Sequence, residues 1–155
     1  MNNITKKRIC CKKQWVRFFT LYSVNMLTLI HFAGCSKSQC LYNYLREHNT
    51  PFILRDYMAS PLSPGELNAL ITNLALPARA LVRTSDSAFA PFQKTVDLEN
   101  HQAVIELLAR HPALMQRPVL CSQDKAVIGR PLERAVCFLA QQGYISTPGT
   151  DLSKC

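Results

Sequence analysis

The sequence predicts one α/β domain built in three parts: a βαβ unit, a run of helices, and a ββα unit. Three observations predict it. Two β-rich runs, "LTLIHF" at 27–32 and "PFILRDY" at 51–57, flank a helical period at 40–48. From Ser63 to Arg110 only helical signals occur. The rhythm then changes at "RPVLCSQDKAVIGRP", residues 117–131, where two short apolar runs flank a polar turn.

The elements follow in order. The Ile, Leu, Thr and Phe of "LTLIHF" suit a buried first strand. In "CLYNYLREH" Leu41, Tyr44, Leu45 and His48 recur at i, i+3, i+4 and i+7, the apolar stripe of an amphipathic helix. Asn49 closes that helix and Pro51 prevents its continuation. "PFILRDY" is the second strand, and two strands joined through a helix are expected to run parallel. In "SPLSPGELNALITNLAL" Ser63 is an N-cap, Pro64 sits at N1 and Glu66 at N3, which is a capping box. Leu67, Leu70, Ile71 and Leu74 form its inner stripe. A further helix is expected from about Pro77 to Arg83, and another from about Glu99 to Arg110 with Val104, Leu107 and Leu108 inward. Strands at 119–121 and 126–128 make a β-hairpin around "SQDK". Pro131 opens the last helix, "PLERAVCFLAQQ", and Gly143 caps its end. A βαβ unit and a ββα unit sharing one sheet form a thioredoxin-like core, with the helical insertion capping one side. The organisation expected is an N-terminal extension at 1–25, the domain at 26–141 and an irregular tail at 142–155.

Charge and cysteine usage narrow the function. The net charge is +8, but Lys6, Lys7, Arg8, Lys12, Lys13 and Arg17 all precede the domain, which leaves the body at +2. A nearly balanced body argues against a nucleic-acid face. No apolar run reaches the roughly 18–20 residues a membrane helix needs, so no membrane partner is expected. The seven cysteines stand at 10, 11, 35, 40, 121, 137 and 155, with no C-x-x-C pair. That spacing fits neither a disulfide framework nor a zinc site. Most are expected to act as small buried hydrophobes in a reducing compartment, Cys40, Cys121 and Cys137 in the core.

Cys35 is different, and "HFAGCSKSQC" supports two readings of it. Backwards, "FAGC" resembles the end of a bacterial lipoprotein signal, with Cys35 as a lipid anchor. Forwards, "GCSKSQ" is a strand-to-helix turn that presents one thiol. Cleavage before Cys35 would remove "LTLIHF", the strand the sheet needs, and Asn25 and His31 interrupt the apolar stretch. The thiol reading is therefore preferred, with Met26 as the functional start and residues 1–25 as an upstream extension.

"HFAGCSKSQ", "RALVR", "MQRPVL" and "VIGRPLE" occur in that order between about Leu27 and Ala140, and together they resemble the glutaredoxin-coupled arsenate reductase (ArsC) family. The resemblance implies an enzyme of the cytoplasm in which Cys35 attacks arsenate or a similar oxyanion, held by Arg83, Arg117 and Arg130. It also implies His31 as an aid to thiolate formation and a cis bond before Pro118. Glutathione would be the co-substrate and glutaredoxin the protein partner, with no bound cofactor or metal. The sequence departs from the family pattern beside the thiol. Phe32 and Ala33 stand where an Asn-Pro pair is usual, and Gln39 where an arginine is common. The same fold family includes redox-sensing transcription regulators that bind RNA polymerase and carry C-x-x-C at this turn; here Ser38 holds the second position. A non-catalytic member that binds a protein partner is the alternative reading.

The chemistry explains the residue types. The thiolate is the nucleophile, and a free thiol with a pKa of ~8.5 is mostly protonated at neutral pH. A helix N-terminus favours the anion, and Ser36 and Ser38 add hydrogen bonds there, Ser38 being grouped with the substrate-binding residues. Arginine forks match tetrahedral oxyanions and stay charged. Arg79, the first arginine of "RALVR", is expected on the surface.

Overall fold

The computed structural model describes residues 26–146. The extension at 1–25, with Cys10 and Cys11, and the tail from 147, with Cys155, lie outside the described residues. Strand β1 (Leu27–His31) leads into helix α1 (Ser36–Glu47) and strand β2 (Phe52–Asp56). Helices α2 (Pro64–Leu74) and α3 (His101–Arg110) form the insertion. Strands β3 (Val119–Cys121) and β4 (Ala126–Ile128) and helix α4 (Leu132–Gln141) complete the chain. The sheet order is β2-β1-β3-β4, with β1 parallel to β2 and the other pairs antiparallel. This is the thioredoxin-like arrangement that the element order predicts.

Alternation along the central strands builds two cores. Successive side chains on a strand point to opposite faces. Leu29 and Leu120 therefore join α1 and α4 through Leu41, Leu45 and Leu139. Ile30 and Val119 face the other way, against Leu67, Leu70, Val104 and Leu108 of α2 and α3. β1 is buried almost throughout because it is covered on both faces. β2 is an edge strand, and its Ile53 and Leu54 are exposed.

The capping box of α2 forms as its sequence predicts. Ser63 N donates to Glu66 Oε2 at 2.8 Å, and Glu66 N donates to Ser63 Oγ at 3.3 Å. Asn49 adopts a positive φ of 49° just past α1, and Gly143 one of 76° past α4. α3 begins at His101 rather than Glu99, because Asn100 Oδ1 accepts from Gln102 N and Ala103 N.

Two expectations need correction. The helix expected from Pro77 to Arg83 is one 3₁₀ turn, Ala78–Leu81. A stretch this short gains little from helical bonds. Val82 instead turns extended and bridges Met115, while Arg83 N donates to Leu114 O and Gln116 N to Leu81 O, both at 2.8 Å. A second 3₁₀ segment, Ser87–Phe92, was not foreseen; Asp86 caps it by accepting from Ala88 N. Cys137 is exposed, not core. At roughly 100° per residue it lies across α4 from Leu132, Ala135, Val136 and Leu139, which are buried. At the start of the irregular tail, Tyr144 and Ile145 pack against the α1–α4 core.

Candidate active site at the start of α1

The chain leaves β1 at His31 and turns through Phe32, Ala33 and Gly34. Cys35 N donates to Phe32 O at 3.0 Å, which closes the turn. Cys35 is the N-cap of α1, with extended backbone at φ −113° and ψ 118°. The cap position places its side chain over helical N–H groups that have no partner within the helix. Burial alone would raise its pKa. The Ser38 N–H, the Ser38 hydroxyl, the Lys37 N–H and the Arg117 guanidinium together outweigh burial and hold the thiol below its ordinary value.

Three buried donors around this sulfur lack ordinary partners. Ser38 is fully buried, and its Oγ makes no hydrogen bond of standard geometry. Arg117 donates through Nη1 to Ala113 O at 2.9 Å and to Met115 O at 3.4 Å, while its Nε is buried without an acceptor. The hydroxyl of Tyr57, at the end of β2, is also buried without a partner. Phe32 ties these groups together. The Arg117 guanidinium lies 5.6 Å from its ring centroid, and the Tyr57 ring meets it edge-on at 6.5 Å. Gly34 is required at this point, because a Cβ there would stand 2.7–2.8 Å from the Phe32 ring.

The expected residues fall in three groups. Cys35, Ser38 and Arg117 come together directly. Arg83 joins them through the field it exerts, with Arg117, on Tyr57, and its Nη2 sits 2.7 Å from Asp86 Oδ2. The Ala88 N–H, and then Arg83 and Arg117, hold the Asp86 carboxyl below the usual range against the effect of burial. Arg130 is exposed and lines a cleft with Lys37, Cys40, Gly129, Pro131 and Glu133 beside the first turns of α1.

His31 is buried, and its register partner is Asp56. Burial lowers its pKa, against the opposing pull of Asp56 and of the Ser38 backbone, so the ring is held towards neutrality. Its link to Cys35 runs through Ser38 rather than through the sulfur. Cys40 is half-buried against the α1–α4 core, and Cys121 is part-buried, its thiol pushed up to about 12 by burial. Arg79 is exposed and pairs with Glu99. The Arg117–Pro118 bond is cis as expected, and the Arg130–Pro131 bond is cis as well.

The two departures from the family pattern touch each other, since Gln39 Nε2 donates to Ala33 O at 3.0 Å. Tyr57 is the site residue that sequence reasoning missed. Its signal was position: it follows β2, parallel to β1, so it emerges at the same sheet end as Cys35.

Fold and site together define a thioredoxin-like protein with a thiol held below its ordinary pKa at a strand–helix turn. Among the described residues no three His, Cys, Asp or Glu are placed to hold a metal, and no helix is long and apolar enough to cross a membrane. The chain belongs to the ArsC family, whose profile matches residues 30–137. It is 31% identical over 118 residues to an arsenate reductase of Neisseria meningitidis, covering 73% of this chain and 97% of that protein. The structure of an arsenate reductase from Vibrio cholerae superposes with a TM-score of 0.67 at 25% identity, covering 72% of this chain and 95% of that one. A global transcriptional regulator Spx of Enterococcus faecalis is 26% identical over 104 residues, or 67% of this chain and 79% of the regulator. The relatives of this chain thus include proteins named as reductases and proteins named as regulators.

Proposed function

We propose that this protein is a thiol-dependent reductase of arsenate or a similar oxyanion. The observation that carries the reading is Cys35 at a helix N-cap, its thiol lowered by Ser38, Lys37 and Arg117, beside an Arg117 Nε and a Tyr57 hydroxyl that are buried without a hydrogen-bond partner of ordinary geometry. Native structures rarely leave buried donors unpaired, and a bound anion would satisfy them. In the proposed route the Cys35 thiolate attacks arsenic and forms a thiol ester, and an oxygen leaves as water. Glutathione attacks next, glutaredoxin resolves the mixed species, and arsenite departs. In sum, two thiols become a disulfide and arsenic(V) gains the two electrons. Arg83 and Arg117 offset the charge of the incoming anion. Arg130, with Lys37, offers positive charge at the rim of the same turn. His31 would act by fixing Ser38. The proposed setting is the cytoplasm, where such a thiol stays reduced.

The test is arsenate-dependent glutathione oxidation by the full chain with glutaredoxin present, compared with Cys35→Ser. Turnover that vanishes in the variant is the expected result. The likeness to the Spx regulator supports a second reading, a protein-binding role without turnover. That reading predicts a folded wild type that oxidises no glutathione.

A further inference from the structure

Tyr57 is the buried polar side chain at this site that the proposed route leaves unused. Its residue is 1% exposed. Its backbone is tied to β1 by Tyr57 N donating to His31 O at 3.4 Å, and its ring is held against Phe32. The hydroxyl makes no hydrogen bond of ordinary geometry. A donor so placed costs free energy unless something accepts from it. Arg117 approaches the hydroxyl oxygen as a donor, and the charges of Arg117, Arg83 and Cys35 all act on it, but none of these accepts the hydroxyl's own proton. The Cys35 sulfur is not its acceptor, since it does not lie within hydrogen-bonding geometry of the hydroxyl. Burial outweighs the two arginines and keeps the phenol protonated, so it remains a donor at neutral pH.

We infer that the Tyr57 hydroxyl donates a hydrogen bond to the tetrahedral oxyanion seated against Cys35, as a neutral donor alongside the cations Arg83 and Arg117. This rests on the oxyanion reading above and adds a binding residue to it. The ring cannot turn away without moving Phe32, which also packs on Arg117. The donor is therefore in place before the anion arrives.

The test measures how strongly arsenate, and separately inorganic phosphate, protects Cys35 of the full chain from iodoacetamide, followed on the Cys35 peptide by mass spectrometry. Tyr57→Phe should weaken protection about ten-fold or more, as expected for losing a hydrogen bond to a charged group. With no anion present, the pH profile of Cys35 alkylation should be unchanged. Equal protection in wild type and Tyr57→Phe would overturn the inference while sparing the oxyanion reading. An upward shift of the pH profile would also overturn it, since the hydroxyl would then serve the thiolate. No protection of the wild type by either anion would remove both readings. Should Tyr57→Phe fail to fold, 3-fluorotyrosine at position 57 keeps the ring and the hydroxyl. Its fluorine resonance should shift on adding arsenate with the same midpoint as protection, and an unmoved resonance would overturn the inference.

Discussion

Cys35 and Cys121 are both thiols in one small domain, and their neighbours drive them in opposite directions. Cys35 faces helical N–H groups, a serine hydroxyl and a guanidinium, which together outweigh its burial. Cys121 has burial alone, which pushes it up to about 12. Ser38→Ala and Arg117→Ala should therefore each move the midpoint of Cys35 alkylation to higher pH and slow alkylation several-fold at pH 7, as iodoacetamide kinetics would show. The sign for stability follows. The Cys35 thiolate stabilises the fold above the ordinary thiol range, and that contribution is lost as pH falls through its lowered pKa. Cys121 works in reverse, its contribution being intact below the ordinary thiol pKa and lost as pH rises towards about 12. Peptide mapping after brief alkylation of the native protein at pH 8 should find Cys35 and exposed Cys137 labelled and Cys121 protected. Spacing and resemblance made Cys35, Ser38 and Arg117 legible before any coordinates. Tyr57 was not legible, because a tyrosine after a strand looks like any half-buried β residue, and its unpaired hydroxyl arises from packing between β2, Phe32 and the segment before β3.

At the scale of elements, local signals decided the outcome where they were strong. The α2 capping box was readable because all its parts lie within four residues, Ser63 to Glu66. Ser63→Ala should cost about 1 kcal/mol, and a thermal melt should fall by roughly 4 °C for a domain of this size. Cys35 alkylation should not change, since the cap lies outside its turn. The segment Ala78–Leu81 was misread because propensity alone favours a helix there, while the pairing of Val82 with Met115 is visible only once distant segments meet. The β1–α1 turn is the element in which fold and chemistry cannot be separated. Gly34→Ala would press a methyl group on the Phe32 ring, and Phe32 is held by Tyr57 and by Arg117. That variant should both lower the melting temperature and slow Cys35 alkylation at neutral pH, whereas Ser63→Ala should do only the first.

For the whole molecule, β1 is the keystone. It is hydrogen-bonded to β2 on one side and β3 on the other, and its side chains serve both cores through Leu29 and Ile30. A chain beginning at Cys35 would lack the strand that joins the βαβ half to the ββα half. We expect a 35–155 form to show no cooperative melt by circular dichroism, and a 26–155 form to melt as one unit. The βαβ…ββα layout was legible because hydrophobic period changes from strand to helix and back along the chain. The division of labour between the two cores was not, because it depends on which strand becomes central. The central position of β1 also has a consequence in time. Ile30 pairs with Val119, so the first strand to be made waits for one of the last. Contacts so distant in sequence close slowly. While the chain is being synthesised, β1 can dock on β2 early, but its other edge stays open until the hairpin has left the ribosome. For that interval the nascent protein carries an unpaired strand edge beside Cys35, and chaperone binding to this half would be expected to concentrate there.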